Sequence, residues 1–183
     1  MYQKNILREK YFNLRKKKYH EIDKEFFSPL LSLIKSNFKK DDFKLALYYP
    51  SSFEVNVLKI LENKYIINKN TLLPIIEEDN TMEFFPWKKN QVLLVNKYGI
   101  LEPRKTKFKI PNLLLVPILA FDANKHRLGY GKGFYDRYLN KYSKKFSNIL
   151  TVGVAFSFQK HHKLPTDKND VKLDYILTEK GIY

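Results

Sequence analysis

The chain has 183 residues, with 34 Lys plus Arg against 19 Asp plus Glu, a formal net charge of +15. A hydrophobic fraction of 44% excludes wholesale disorder, and the length suits one domain, residues 1–183, burying roughly 70% of its unfolded surface. The lack of cysteine excludes a disulfide framework, a thiolate zinc site and a Cys nucleophile, while the lack of both a long apolar run and a signal-type h-region leads us to expect a cytoplasmic location.

In chain order, residues 3–18 read as an amphipathic helix with Ile6, Leu7, Tyr11 and Leu14 on its apolar face. Lys4, Arg8 and Arg15 fall within about 40° of one another on a second stripe, at 100° per residue. That stripe by itself fits an ordinary solvated face. A second helix is expected over 22–37, with a kink at Ser28-Pro29 or a fresh start there with Ser28 as N-cap. The period then changes. Residues 43–49 are short, apolar and aromatic, which predicts a strand, and Pro50 ends it. Ser51 and Glu54 match the capping box S-x-x-E before the apolar-periodic Val55, Leu58 and Leu61, which predicts a helix. Further strands are expected at 64–67, 72–76, 92–95, 113–116, 149–155 and 175–178, with a helix over 134–142. Residues 77–112 are the least regular, with a hairpin and long loops. The run LLLVPILAF has the continuous apolar character of a strand buried on both faces. The pattern predicts an α/β fold, a three-layer sandwich around a mostly parallel sheet.

The cations carry two readings. A basic surface is an electrostatic footprint for an anionic partner. Equally, Lys, Asn, Ile, Phe and Tyr share AT-rich codons, and the chain is rich in each. Five of the 34 cations are Arg (Arg8, Arg15, Arg104, Arg127 and Arg137), and these positions are the informative ones.

Of six glycines, three fall in one pentapeptide, Gly129-Tyr130-Gly131-Lys132-Gly133. Closely spaced glycines let backbone N–H groups wrap an anion, and a following helix N-terminus adds donors and partial positive charge. Arg127 and Lys132 bracket the loop with cations, so the chemistry is that of phosphate binding. The spacing is neither the P-loop nor G-x-G-x-x-G. Asp136 is either a first-turn acid favoured by the helix dipole or a carboxylate holding Mg²⁺ against bound phosphate. His161-His162 is too isolated for a metal site and reads as solvated loop.

The run VPILAFDANKHRLGYGKGFYDRYL resembles the signature region of the 5-formyltetrahydrofolate cyclo-ligases, which read V-P-x-x-A-F-D, a short turn, then R-L-G-x-G-x-G-[FY]-Y-D. Flanking features agree in order: Lys4-x-x-x-Arg8, a strand ending in Pro followed by Glu54-Val55, Glu102-Pro103, and Leu164-Pro165 followed by Asn169-Asp170. The resemblance implies a cytoplasmic α/β enzyme that converts 5-formyltetrahydrofolate (folinate) to 5,10-methenyltetrahydrofolate with ATP and Mg²⁺. It implies that Lys4 and Arg8 contact ATP. Arg127, Leu128, Gly129, Tyr130, Gly131, Lys132, Gly133, Phe134 and Tyr135 would form the ATP loop, of which Tyr130 through Phe134 also border the folate. Asp136 and Asp170 would bind Mg²⁺, and Ser51, Glu54 and Asn56 would line the substrate site. Asn56 departs from the family, which commonly has an acid there. Glu54 is either a substrate contact or the capping-box acid, and Glu102 either a pterin contact or a loop acid.

The chemistry implied is attack of the formyl oxygen on the γ-phosphate, then ring closure by N-10 of the resulting iminium phosphate with loss of phosphate. Positioning and charge, from Arg127, Lys132 and the backbone, matter more than a covalent nucleophile. Two other classes fit the basic composition: an RNA-binding module that stacks aromatics on bases, and a phosphosugar-binding regulatory domain. Polyglutamated folate is a further partner that a basic surface suits, whereas nucleic acid fits poorly because the aromatics fall at core-periodic positions.

Overall fold

The computed structural model describes residues 2–39, 43–67, 70–142 and 149–183. Helix α1 (Tyr2–Lys18) buries Leu7 and Tyr11 as expected, but Ile6 is exposed. A 3-10 turn (Lys24–Phe27) then leads directly into α2 (Ser28–Asn37). The fresh start at Ser28-Pro29 is therefore present, with a different cap. Asp23 accepts from the backbone N–H groups of Glu25 and Phe26 and starts the 3-10 turn, and Ser28 is already helical. Pro29 sits in the first turn of α2, where its missing donor costs nothing.

Strands β1 (Lys44–Ala46), β2 (Asn70–Ile76) and β3 (Met82–Pro86) come next, followed by the ribbon β4 (Leu93–Val95) and β5 (Leu101–Pro103). After β6 (Leu113–Pro117), a second ribbon, β7 (Ala120–Phe121) and β8 (Arg127–Leu128), precedes α3 (Phe134–Tyr142). Strands β9 (Leu150–Val154), β10 (Tyr175–Thr178) and β11 (Gly181–Ile182) complete the chain. The central sheet has the order β11-β10-β9-β6-β1-β2-β3. Its four inner pairings are parallel, and the edge strands β3 and β11 are antiparallel.

Strand β6 shows why the sheet is sandwiched. Leu113 and Leu115 join Phe27, Leu30 and Ile34 in one core layer; Leu114 and Val116 join Tyr138 and Leu139 of α3 in the other. A strand with apolar residues at every position must be covered on both faces. The α/β sandwich with a mostly parallel sheet is the observed architecture.

Two expected elements differ. Residues 64–67 form a turn, because Asn63 accepts from the Tyr65 N–H through its side chain and from the Ile66 N–H through its backbone. An Asx turn outcompetes a strand there. The helix expected after Ser51 is only a 3-10 turn, Val57–Glu62, capped by Asn56. Ser52 and Phe53 intervene with φ of 48° and 63°, a left-handed pair that no helix continues through.

The β7–β8 turn is organised by Asp122, which is buried. Its carboxylate accepts from the N–H groups of Asn124, His126 and Leu164 and contacts His126 Nδ1 at 3.2 Å. Burial pushes its pKa up, but these bonds outweigh burial and hold it below the usual 3.8. Its stabilisation is therefore present above pH 3.8 and is lost as the pH falls through the lower native value. Hydrogen bonds to a charged group are worth about 1.5–3 kcal/mol, so Asp122→Asn should lower the thermal midpoint by about 3–10 °C near neutrality. The gap should narrow below pH 3.8 in a melting series. A gap independent of pH would show that the charge is immaterial.

Candidate active site

The carboxyl edge of the parallel strands gathers three segments: the loop after β1 (residues 47–56), the ribbon and glycine loop after β6, and the segment after β9 that carries Asp167 and Asp170. Open α/β sheets place their ligand crevices at this edge. Helix α1 lies across it, bringing the cationic stripe read from the sequence.

Each cation of that stripe has a separate task. Lys4 Nζ reaches Asp170 at 2.6 Å and Asp167 at 2.8 Å. Burial lowers its pKa, but the two carboxylates reverse this and raise it above the usual 10.5. Arg8 Nε donates to the Gly129 carbonyl at 2.9 Å, and its guanidinium covers Gly131. A Cβ on Gly131 would lie 3.0 Å from Arg8 Cζ, on a backbone with φ of +93°. Only glycine meets both conditions at little cost. Arg15 is 1% exposed, which overturns the solvated-face reading at this position. Its guanidinium donates to the Ser52 carbonyl at 2.7 Å, to the Ile118 carbonyl at 3.3 Å and to the Tyr130 hydroxyl.

Arg127, on β8, has a side chain only 5% exposed. It donates to Asp136 Oδ1 and to the Val171 carbonyl, and Asp136 Oδ1 also accepts from the Val171 N–H at 3.1 Å. Burial pulls its pKa down, and Asp136, Asp170 and Tyr135 push it back up. Leu128 beside it is core, packed with Leu7 and Tyr11 of α1. Lys132 is exposed at the loop tip, where its carbonyl accepts from Arg137. Gly133 has φ of +67° and leads into α3, whose first residues are Phe134, Tyr135 and Asp136. The Tyr135 hydroxyl is driven to a higher pKa by burial and by Glu54.

The second part of the site is a recess of about 240 Å³ lined by Tyr19, Pro50, Ser51, Ser52, Phe53, Glu54 and Asn56. Glu54 is buried at its base. Its Oε2 accepts from the Ser51 N–H at 2.9 Å, and its Oε1 accepts from the Tyr130 hydroxyl at 2.9 Å. Burial raises its pKa above 4.5, opposed by Arg15, Ser51 and Tyr130. Glu54 closes onto Ser51 as a capping-box acid does, and it also faces the glycine loop through Tyr130. Asn56 lines the recess, but its Oδ1 accepts from the Leu58 N–H at 3.2 Å as the cap of the 3-10 turn. An aspartate caps as well as an asparagine. Asn56→Asp should therefore leave the thermal midpoint within about 2 °C in a melting experiment. A loss of several degrees would mean that the Nδ2 group has a structural partner.

Glu102 lies in strand β5 and not in a loop, and it accepts from Asn96 Nδ2 at 3.0 Å within the ribbon. His162 is exposed as expected, but His161 packs edge-on against Tyr11, with Nδ1 3.0 Å from the hydroxyl. Among the described residues no group of three or more His, Cys, Asp or Glu gathers as a metal cluster. Mg²⁺ usually needs only one or two carboxylates when phosphate supplies the rest. Asp136 is paired with Arg127, and Asp170 with Lys4 at 2.6 Å.

A glycine loop with the half-buried Arg8 over it and the Arg127 side chain buried beside it, at the carboxyl edge of a parallel sheet, marks an α/β protein with a ligand crevice there. The chain belongs to the 5-formyltetrahydrofolate cyclo-ligase family, whose model matches residues 4–179, and it is therefore a ligase. The 5-formyltetrahydrofolate cyclo-ligase of Haemophilus influenzae is 30% identical over 172 residues, covering 90% of this chain and 89% of that protein. That of Mycoplasma genitalium is 34% identical over 134 residues, covering 73% and 70%. The NMR structure of the Aquifex aeolicus 5,10-methenyltetrahydrofolate synthetase is 33% identical, with a TM-score of 0.74 over 98% of this chain and 91% of that one. The Mycoplasma pneumoniae enzyme of the same name is 27% identical, with a TM-score of 0.69 over 96% and 98%.

Proposed function

We propose that the chain converts 5-formyltetrahydrofolate to 5,10-methenyltetrahydrofolate with ATP, releasing ADP and phosphate. The observation that carries this reading is the hydrogen bond from Tyr130 of the glycine loop to Glu54 of the recess. It sets a phosphate-type loop and an acid-floored pocket against each other, as a transfer between two bound substrates requires. Holding both substrates in one cleft replaces a bimolecular encounter with a near-unimolecular one.

In this reading Arg127 through Tyr135 cradle the nucleotide, with Lys4 and Arg8 closing over it from α1. Ser51, Glu54 and Asn56 take the folate, with Tyr130 through Phe134 on its other side. Asp136 and Asp170 would hold Mg²⁺, which supplies charge neutralisation of the phosphate oxygens when bound. The formyl oxygen attacks the γ-phosphorus, the bond from that phosphorus to the β–γ bridging oxygen breaks and ADP leaves, giving an iminium phosphate. N-10 then adds to the formyl carbon, its proton is lost, and the carbon–oxygen bond breaks to release phosphate. Arg127 and Lys132 stabilise the negative charge that spreads over the transferred group. Glu54, as a carboxylate, accepts an N–H of the folate ring system. A cytoplasmic location accords with this chemistry, and no helix of the described residues is long and apolar enough to cross a membrane.

The purified chain with Mg-ATP should release ADP only when folinate is added. Release or tight binding driven by RNA or a sugar phosphate, with folinate inert, would overturn the assignment in favour of a binding module.

The net charge of +15 suits a polyglutamated folate tail. Exposed pairs contribute only about 0–1 kcal/mol each, but several glutamates add up. KM for polyglutamated folinate should lie below that of the monoglutamate at low salt. The gap should close as the Debye length falls from about 10 Å at 0.1 M to about 3 Å at 1 M. Equal KM values at low salt would show that the charge is not directed at the substrate.

A further inference from the structure

We infer that Arg15 is a positioning residue for folate recognition, holding Tyr130 and Glu54 in register across the two loops. The inference rests on the functional reading above, and it concerns a residue that touches neither ligand in that reading. Arg15 is a fully buried cation, at 1% exposure. A guanidinium stays charged when buried, so it is tolerated only where it is surrounded by acceptors. Its Nη2 spans the two halves of the site, donating to the Ser52 carbonyl on the recess side and to the Tyr130 hydroxyl on the glycine-loop side. Tyr130 passes the link on to Glu54, and Glu54 closes it on the N–H of Ser51, next to the residue Arg15 already holds. The result is a closed circuit: Arg15, Tyr130, Glu54, Ser51, Ser52, Arg15.

Two further observations mark the circuit as a device for holding geometry. Ser52 and Phe53 are consecutive non-glycine residues in left-handed conformation, which surrounding contacts must hold in place. The Arg15–Ser52 bond supplies one such contact. In addition, Arg15 Nε is buried with no hydrogen-bond partner among the described residues. An unpaired buried donor is rare, and here Nη1 is committed to the Ile118 carbonyl at the end of β6 and Nη2 to the two loops.

The experiment measures KM for folinate and for ATP in the wild type, Arg15→Met, Arg15→Lys, Glu54→Gln and the Arg15→Met/Glu54→Gln double variant. Arg15→Met fills the volume without the charge and should raise folinate KM at least tenfold, with ATP KM held within threefold by the untouched Arg8 and Arg127. Arg15→Lys keeps the charge without the fork and should fall between. In the double variant, Arg15→Met should add less than threefold to the effect of Glu54→Gln, because the two act through one circuit. Tyr130→Phe breaks the circuit at its middle and leaves the guanidinium buried, so it tests the same link if Arg15→Met does not fold. It too should raise folinate KM several-fold. Folinate KM within threefold of wild type in both Arg15→Met and Tyr130→Phe, or full multiplication in the double variant, would overturn the inference. A wild type that does not use folinate at all would defeat the functional reading, and the inference with it, before any variant is compared.

Discussion

Arg127→Ala is expected to cut kcat/KM for ATP 10- to 100-fold, on the order of the charge-assisted contact it removes, and to lower the thermal midpoint by about 5–10 °C. A loop cation read from sequence has no reason to affect stability. This one does, because its side chain is 5% exposed and tied to Asp136 and to the Val171 carbonyl. Removing one partner of a buried pair strands the other; the full cost is about 3–5 kcal/mol, and a quarter-exposed Asp136 reduces it to about 2–3. At about 2–4 °C per kcal/mol for a chain of this size, the shift follows. The kinetic loss reflects a charge-assisted contact worth about 1.5–3 kcal/mol. Arg127→Lys keeps the charge but loses the two-point bond, so it should recover part of the rate and little of the stability. Loss of stability with unchanged ATP kinetics, measured in a variant folded at the assay temperature, would limit Arg127 to holding α3 and the Val171 segment together.

Glu54→Gln is the counterpart on the folate side, with an expected 10- to 100-fold rise in folinate KM from the same range of charge-assisted hydrogen-bond energies. The amide oxygen still accepts from the Ser51 N–H, so the loop should keep its shape and far-ultraviolet circular dichroism should not change. Removing an acid from a buried position also removes the group whose ionisation burial resists. Glu54 binds protons more readily folded than unfolded, so its protonated form contributes stability below pH 4.5 that is lost as the pH rises through the higher native value. Glu54→Gln should therefore be at least as stable as wild type at neutral pH. A variant with normal folinate KM would return Glu54 to turn closure alone and move the pterin elsewhere.

The parts of this molecule that could be read from sequence are those set by local pattern. Strand β6 announces itself because every residue is apolar, and a strand buried on both faces has no polar positions. Helix α3 follows a loop in which half of all the glycines are concentrated. The glycine loop, Lys4, Arg8, Asp136 and Asp170 were reachable through the resemblance of a continuous motif to a known family. What escaped was whatever depends on a partner distant in sequence. A helical wheel places Arg15 beside Lys4 and Arg8, but it does not tell which of the three the rest of the chain covers. Ser51 and Glu54 make the bond of a capping box, yet two left-handed residues between them leave no helix to cap. Asp122 looks like one letter of a motif until its carboxylate is seen taking three N–H groups, one from Leu164 across the sheet edge. The common signal in hindsight is chemical: Arg in place of Lys in a lysine-rich helix, and an acid followed by Asn and Lys in a turn.

The most direct test of the central claim is to incubate the purified chain with folinate and Mg-ATP and follow the near-ultraviolet absorbance of the methenyl product. The account predicts a band that grows only with both substrates present, matched mole for mole by ADP, and slowed about 10- to 100-fold by Arg127→Ala. ADP formation without the band, or no band at saturating folinate and Mg-ATP, would contradict it.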